Sequence, residues 1–210
     1  QEMKKPIIIL FLMTGLFGQI IDSNYEELGD LNPIGFNLFG GLSMGNLMYN
    51  DDEIEDSVET FLNIGMTIGA EKTFGPLKIG TAYAQLGGTV KTETNGVAFR
   101  GEDTYNYIVA YGVYPITVSE SMLIFGGMQI GYCIGGEAIR EWGTESFKDD
   151  IDSDDIALDY GLLMVGELMT GPNIGTRTSL YYGLTDVAKD LEAELNFKNI
   201  GFGVSVIYKL

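Results

Sequence analysis

The sequence predicts an all-β chain: an eight-stranded, antiparallel, up-and-down transmembrane β-barrel behind a cleavable N-terminal signal peptide. Three observations predict it. Apolar residues alternate with small or polar ones from about Gly35 to the last residue. The alternating segments are longer than the about 5–6 residues of an ordinary strand and match the about 9–11 of a tilted membrane strand. The connections between them are alternately long and short.

The chain opens on the three parts of an export signal. Met3-Lys4-Lys5 is a short positive start, Pro6 to Phe17 is almost wholly apolar, and Gly15 to Gln19 offers small residues with a cut after Gly18. The apolar core is too short for a spanning helix, which takes about 20 residues. Residues 1–18 therefore read as signal peptide, 19–34 as a polar periplasmic lead-in, and 35–210 as the barrel domain. Cys133 is the single cysteine, so no disulfide within the chain can staple that domain.

Eight alternating segments follow: 35–48, 60–72, 76–89, 104–115, 121–136, 156–169, 173–185 and 197–210. In the second, Leu62, Ile64, Met66 and Ile68 alternate with Asn63, Gly65, Thr67 and Gly69. In the last, Ile200, Phe202, Val204 and Val206 alternate with Asn199, Gly201, Gly203 and Ser205. Successive strand residues point to opposite faces, so each segment has one greasy and one small or polar side. In the fourth, Gly112 marks the inner side, which assigns Tyr105, Tyr107, Val109, Tyr111 and Val113 to the outer one.

The long connections are Asn50 to Glu59, Val90 to Asp103, Glu137 to Asp155 and Asp186 to Asn196. The short ones are Thr73 to Gly75, Ile116 to Glu120 and Thr170 to Pro172. Outer-membrane barrels have short periplasmic turns and longer outer loops. An even number of strands then places both ends of the domain in the periplasm. Closure fits the backbone chemistry, because in lipid every N–H and C=O must pair internally and an open sheet edge cannot.

Many of the 29 glycines share the inner parity, among them Gly41, Gly45, Gly65, Gly69, Gly80 and Gly112, while Gly40, Gly126 and Gly166 fall on the outer one. Small residues there let a narrow sheet curl and relieve crowding in an interior that side chains just fill. Tyr49, Tyr83, Tyr105, Tyr114, Tyr160, Tyr182 and Tyr208 lie near segment ends, where aromatic girdles meet the membrane interfaces.

The formal net charge of -18 disfavours nucleic-acid binding, since phosphate is repelled. Most acids lie in connections. Glu71, Lys78, Asp159, Glu167 and Arg177 are instead inward by parity. Glu71 and Lys78 flank one short turn, and Glu167 and Arg177 flank another. Inward charges in a narrow barrel must pair or be hydrated. The expectation is a structural polar cluster in the lumen near the periplasmic end, with an ion or proton path as the functional alternative.

The chain has no histidine. That removes Ser-His catalysis and imidazole metal ligands, and no enzymatic activity or cofactor is expected. Asp150, Asp152 and Asp154 resemble the start of a calcium loop, but Asp155 stands where a glycine belongs and Gly161 where a glutamate belongs. They form at most a weak metal candidate in an acidic loop.

Ile34-Gly-Phe-Asn-Leu-Phe-Gly-Gly, the stretch from Asp159 to Asp186, and the ending Asn199 to Tyr208 resemble the PorT-like outer-membrane β-barrel family. The resemblance covers roughly residues 34–210 and implies an OmpA- or OmpX-like barrel without catalytic residues. The expected role is structural or surface-interacting, through acidic outer loops in the outer membrane of a diderm bacterium. A narrow channel or ligand-binding barrel, and an accessory of a secretion machinery, are the alternatives. A soluble lipocalin-like carrier would need the opposite sorting, a greasy lumen and a polar outside. The implied partners are outer-membrane lipid and lipopolysaccharide, the barrel-assembly machinery, and a protein at the acidic loops.

Overall fold

The computed structural model describes residues 35–49, 59–94, 96–118, 122–187 and 197–210. The segments read as signal peptide and lead-in, 1–18 and 19–34, lie outside the described residues, as do most of the connections 50–59 and 186–196.

Among the described residues, nine strands follow in chain order: β1 (Phe36–Tyr49), β2 (Glu59–Phe74), β3 (Leu77–Thr94), β4 (Val97–Val118), β5 (Met122–Trp142), β6 (Glu145–Ile151), β7 (Asp159–Met169), β8 (Ile174–Gly183) and β9 (Phe197–Lys209). Each of β1 to β4 pairs antiparallel with the next, β5 continues to β7, and β7 pairs with β8 and β8 with β9. Strand β9 then pairs back onto β1, from Asn37↔Lys209 to Tyr49↔Phe197. The ring therefore closes with eight strands, as the alternation predicts, and β6 stands outside it, paired with the far half of β5.

Gly35 accepts from the Thr73 N–H at 2.9 Å, and the Leu210 N–H donates to Phe36 at 2.9 Å. Both ends of the domain thus sit at the end of the barrel that holds the short turns. Gly75 makes the β2–β3 turn, where its φ of +57° favours a residue without Cβ.

At the opposite end, two expected loops are strands instead. Residues 90–103 form the far halves of β3 and β4, and most of 137–155 forms the end of β5 and β6. The four strands continue upward as one sheet, with β4 pairing β5 from Phe99↔Trp142 and β5 pairing β6 from Trp142↔Glu145. The alternation above the rim is weak because both faces there carry charge. Gly96 and Gly143, at φ +77° and +61°, nonetheless allow tight hairpins rather than loops. Gly135, at φ +122°, absorbs the irregularity where β5 leaves the ring and joins this extension.

The outer wall of the barrel is apolar. Ile64 is 68 % exposed, Ile68 62 %, Met128 57 % and Val206 53 %. Each large side chain of this kind gains about 1.5–3 kcal/mol on leaving water, so a wall built from them around a whole ring suits hydrocarbon. Rings flank this wall. Phe36, Phe74, Tyr114 and Tyr208 are exposed near the short-turn end, and Tyr132, Tyr160 and Tyr182 toward the other.

Strand β4 corrects the sequence reading. Tyr105, Tyr107, Val109, Tyr111 and Val113 are buried in the lumen, and Ile108 and Tyr114 face out. Tyr105 is therefore not a girdle residue. Gly112, expected inside, faces out, and a Cβ there would meet nothing within 4 Å. The cause is volume: an eight-stranded lumen must be filled, and glycines on the other strands leave room that rings occupy. A Cβ on Gly80 would strike the Tyr111 ring, and one on Gly131 would come 3.1 Å from the Tyr107 ring. Phe39, Leu47, Phe125, Val165 and Ile207 complete this interior. Both lumen and wall are thus largely apolar, and the greasy lumen does not make a soluble carrier because the outside is greasy too.

Candidate functional site

The most polar structure in the lumen lies just above the short turns. The β2–β3 register sets Thr73 opposite Lys78, which leaves Glu71 diagonal to Lys78 on the same inward face. The β7–β8 register sets Glu167 directly opposite Arg177. The two hairpins face each other across the ring, so the four charges meet in its middle. Lys78 Nζ lies 3.0 Å from Glu71 Oε1 and 2.6 and 2.7 Å from the two Glu167 oxygens. Arg177 Nη1 pairs with Glu71 Oε2 and lies 3.4 Å from Glu167 Oε1. Asn37 Nδ2 and the Tyr111 hydroxyl donate to Glu71 at 2.9 and 2.8 Å.

The two glutamate side chains are fully covered, and those of Lys78 and Arg177 are 6 % and 4 % exposed. Two carboxylates and two cations cancel formally. Aromatic faces complete their surroundings: Lys78 Nζ sits 4.3 Å from the Phe125 ring centre, and the Arg177 guanidinium 4.3 Å from that of Phe39. A buried set of this kind is held by mutual pairing, because an unpaired ion there carries a desolvation penalty of several kcal/mol.

Asp159, expected in the same cluster, lies apart from it. It begins β7 at the far end of the barrel wall, where Tyr181 Oη donates to Oδ1 at 2.5 Å and Asn199 Nδ2 to Oδ2 at 2.8 Å. Asn199 Nδ2 also lies 3.1 Å from the Tyr107 hydroxyl. Among the described residues no cation pairs with this second layer. Neutral donors rather than an ion pair support the carboxyl. The sequence reading found the charged residues by parity but missed Asn37, Tyr107, Tyr111, Tyr181 and Asn199. The tyrosines of β4 were assigned to the wrong face, and the two asparagines matter only through neighbours on other strands.

Between the layers the lumen keeps a cavity of about 60 Å³, lined among others by Ser43, Thr67, Gln129, Arg177, Ser179 and Ser205. A second of about 60 Å³ lies on the short-turn side, among Asn37, Thr73, Lys78, Phe125 and Lys209. Each has room for a few waters and nothing larger. The ion cluster sits between them, with Arg177 on one and Lys78 on the other. It fills the bore rather than lining an open one.

The weak metal candidate does not assemble. Asp150 ends near β6's close, while Asp152 starts a single 3₁₀ turn, Ser153–Asp155, and accepts from the Asp154 N–H at 3.2 Å. Among the described residues no three carboxylate or thiol side chains converge on a point where an ion could bind.

No protein-family model and no curated protein matches the chain. Among solved structures it is similar to Ail, the attachment invasion locus protein of Yersinia pestis, at 14 % identity and a TM-score of 0.48 over 84 % of this chain and 99 % of that one. It is similar to Neisserial surface protein A at 13 % identity and a TM-score of 0.48, over 83 % and 97 %. It is also similar to the outer membrane protein OprG from Pseudomonas aeruginosa at 10 % identity and a TM-score of 0.43, over 84 % and 96 %. The fold described above rests on the strand pairing of this chain itself.

Proposed function

We propose that this chain is a small, non-catalytic outer-membrane barrel of the OmpA/OmpX-like kind, for which PorT-like proteins are the relatives its strand pattern suggests. Its role is structural and surface-interacting. The observation that carries this reading is the closed eight-stranded wall with large apolar side chains exposed around its circumference. Such a wall is out of place in water and suits lipid, with every ring strand paired on both sides. The short turns and both domain ends then lie in the periplasm, and the β3–β6 extension stands outside the cell.

The lumen supports a barrel without a continuous pore. Its interior is packed, and the bore is interrupted by a neutral, fully paired ion cluster. Contact with the surroundings therefore falls to the extension and the outer connections rather than to passage through the barrel.

A heat-modifiability gel on outer-membrane fractions tests the first part: the folded barrel runs compact in cold SDS and shifts on boiling. Absence of a shift, or recovery of the protein in a detergent-free buffer extract, would refute it. Planar-bilayer recording tests the second, and steady single-channel openings would replace the closed barrel with a channel.

A further inference from the structure

We propose that the lumen-side face of the β3–β6 extension is a docking surface for a basic peptide segment, carrying apolar side chains, of a partner protein. The proposal rests on the reading above that this end of the barrel stands clear of the bilayer.

The two faces of the extension differ. Along β4, Val97, Phe99, Gly101 and Asp103 continue the inward alternation of Tyr105. The register carries that face onto β5 and β6 through Phe99↔Trp142, Gly101↔Arg140 and Arg140↔Phe147. Phe99 and Trp142 meet edge to face, with centroids 5.8 Å apart. Trp142 remains 53 % exposed and Phe147 56 %. The opposite face carries three ion pairs among the described residues. Arg100 lies 2.8 Å from Glu102 and 3.6 Å from Glu141, and Lys148 pairs with Glu137. A sheet that solvates one face with ion pairs and leaves aromatic rings open on the other presents the second to a partner.

Charge selects the occupant. On the aromatic face Arg140 is taken by Asp103 at 2.6 Å. Glu145, opposite Trp142, and Asp149, opposite Ala138, share that face and make no ion pair among the described residues. Three carboxylates against one guanidinium leave a net −2 beside the rings, on a chain of formal net charge -18. Anionic glycolipid or glycan is repelled from such a face, and the lipid wall lies on the other side of the sheet. A segment that pairs Lys or Arg with these carboxylates and lays apolar side chains on Trp142 and Phe147 matches both features.

Trp142 is the only tryptophan in the chain, so its emission reports this face alone. The full protein, folded in a zwitterionic detergent, is titrated with a nine-residue peptide of alternating lysine and valine. The control peptide replaces lysine with glutamate. The expected result is a blue shift of Trp142 and protection from acrylamide with the lysine peptide alone, weakened by salt. Phe147→Ser keeps the reporter and weakens binding about tenfold; Glu145→Gln with Asp149→Asn weakens it severalfold. An equal response to the glutamate peptide, a response to lipopolysaccharide micelles instead, or unchanged affinity in Phe147→Ser would each overturn the proposal. Heat modifiability of every protein tested keeps the two readings apart: unsubstituted protein that shifts on boiling but gives no Trp142 response to the lysine peptide refutes the docking surface and leaves the barrel standing.

Discussion

Lys78 on β3 is bound more closely by Glu167 on β7, at 2.6 and 2.7 Å, than by Glu71 at 3.0 Å across its own hairpin. The lysine thus ties two hairpins that are not neighbours in the ring. Its removal leaves two covered carboxylates with Arg177 as their remaining ion-pair partner among the described residues. Lys78→Met is expected to cost about 3–5 kcal/mol, read as a lowered urea midpoint of the refolded barrel. Adding Glu167→Gln should recover part of that loss. A single-variant cost under about 1 kcal/mol would show that the cluster is not held by pairing.

Two glycines offer opposite outcomes for the same substitution. At Gly41 a Cβ would run into the backbone of β9 at Val204 and Ser205, whereas at Gly112 it would meet nothing within 4 Å. Gly41→Ala is expected to destabilise by about 1–3 kcal/mol through overpacking. Gly112→Ala should be neutral or slightly stabilising, since alanine has less chain entropy to lose. Equal effects would argue against the assigned faces.

The face of β4 is tested by adjacent residues. Tyr107 is wholly buried, and Ile108 is 45 % exposed on the wall. Tyr107→Ala should cost about 3–5 kcal/mol as a large core truncation and also leave Asn199 without one of its contacts. Ile108→Ala should cost well under half of that in a lipid environment. Reversal of this order would restore the assignment that Gly112 suggested.

Cys133 gives a labelling test. Its side chain is buried in the lumen, with Sγ 3.4 Å from the Gly135 carbonyl. A maleimide should add no mass to the folded barrel and one label to the urea-unfolded chain. Rapid labelling of the folded protein would mean that the lumen is open at this level.

Several features are legible along the chain because they are local. Period-two alternation reports a strand from a handful of neighbours, and Glu71, Lys78, Glu167 and Arg177 are marked by being charged on an otherwise small or apolar inward parity. Where both parities carry the same residue types, that signal vanishes. Strand β4 carries Tyr105, Tyr107, Val109, Tyr111 and Val113 inward and Ile108 and Tyr114 outward, so large apolar residues lie on both sides, and Gly112 pointed the wrong way. Above the rim, charges on one face and rings with charges on the other left no simple alternation, so strands read as loops.

The sequence by itself determined a closed, membrane-length, eight-stranded ring with its short turns and both domain ends at one end, since strand period and turn chemistry depend on adjacent residues. Only the tertiary structure decided which rings fill the lumen, that Asp159 belongs to a separate layer with Tyr181 and Asn199, and that Lys78 reaches Glu167. The interior of a narrow barrel is filled from all eight strands at once. A residue's place there is set by the volume and charge left by strands far away in the chain, which no local pattern records.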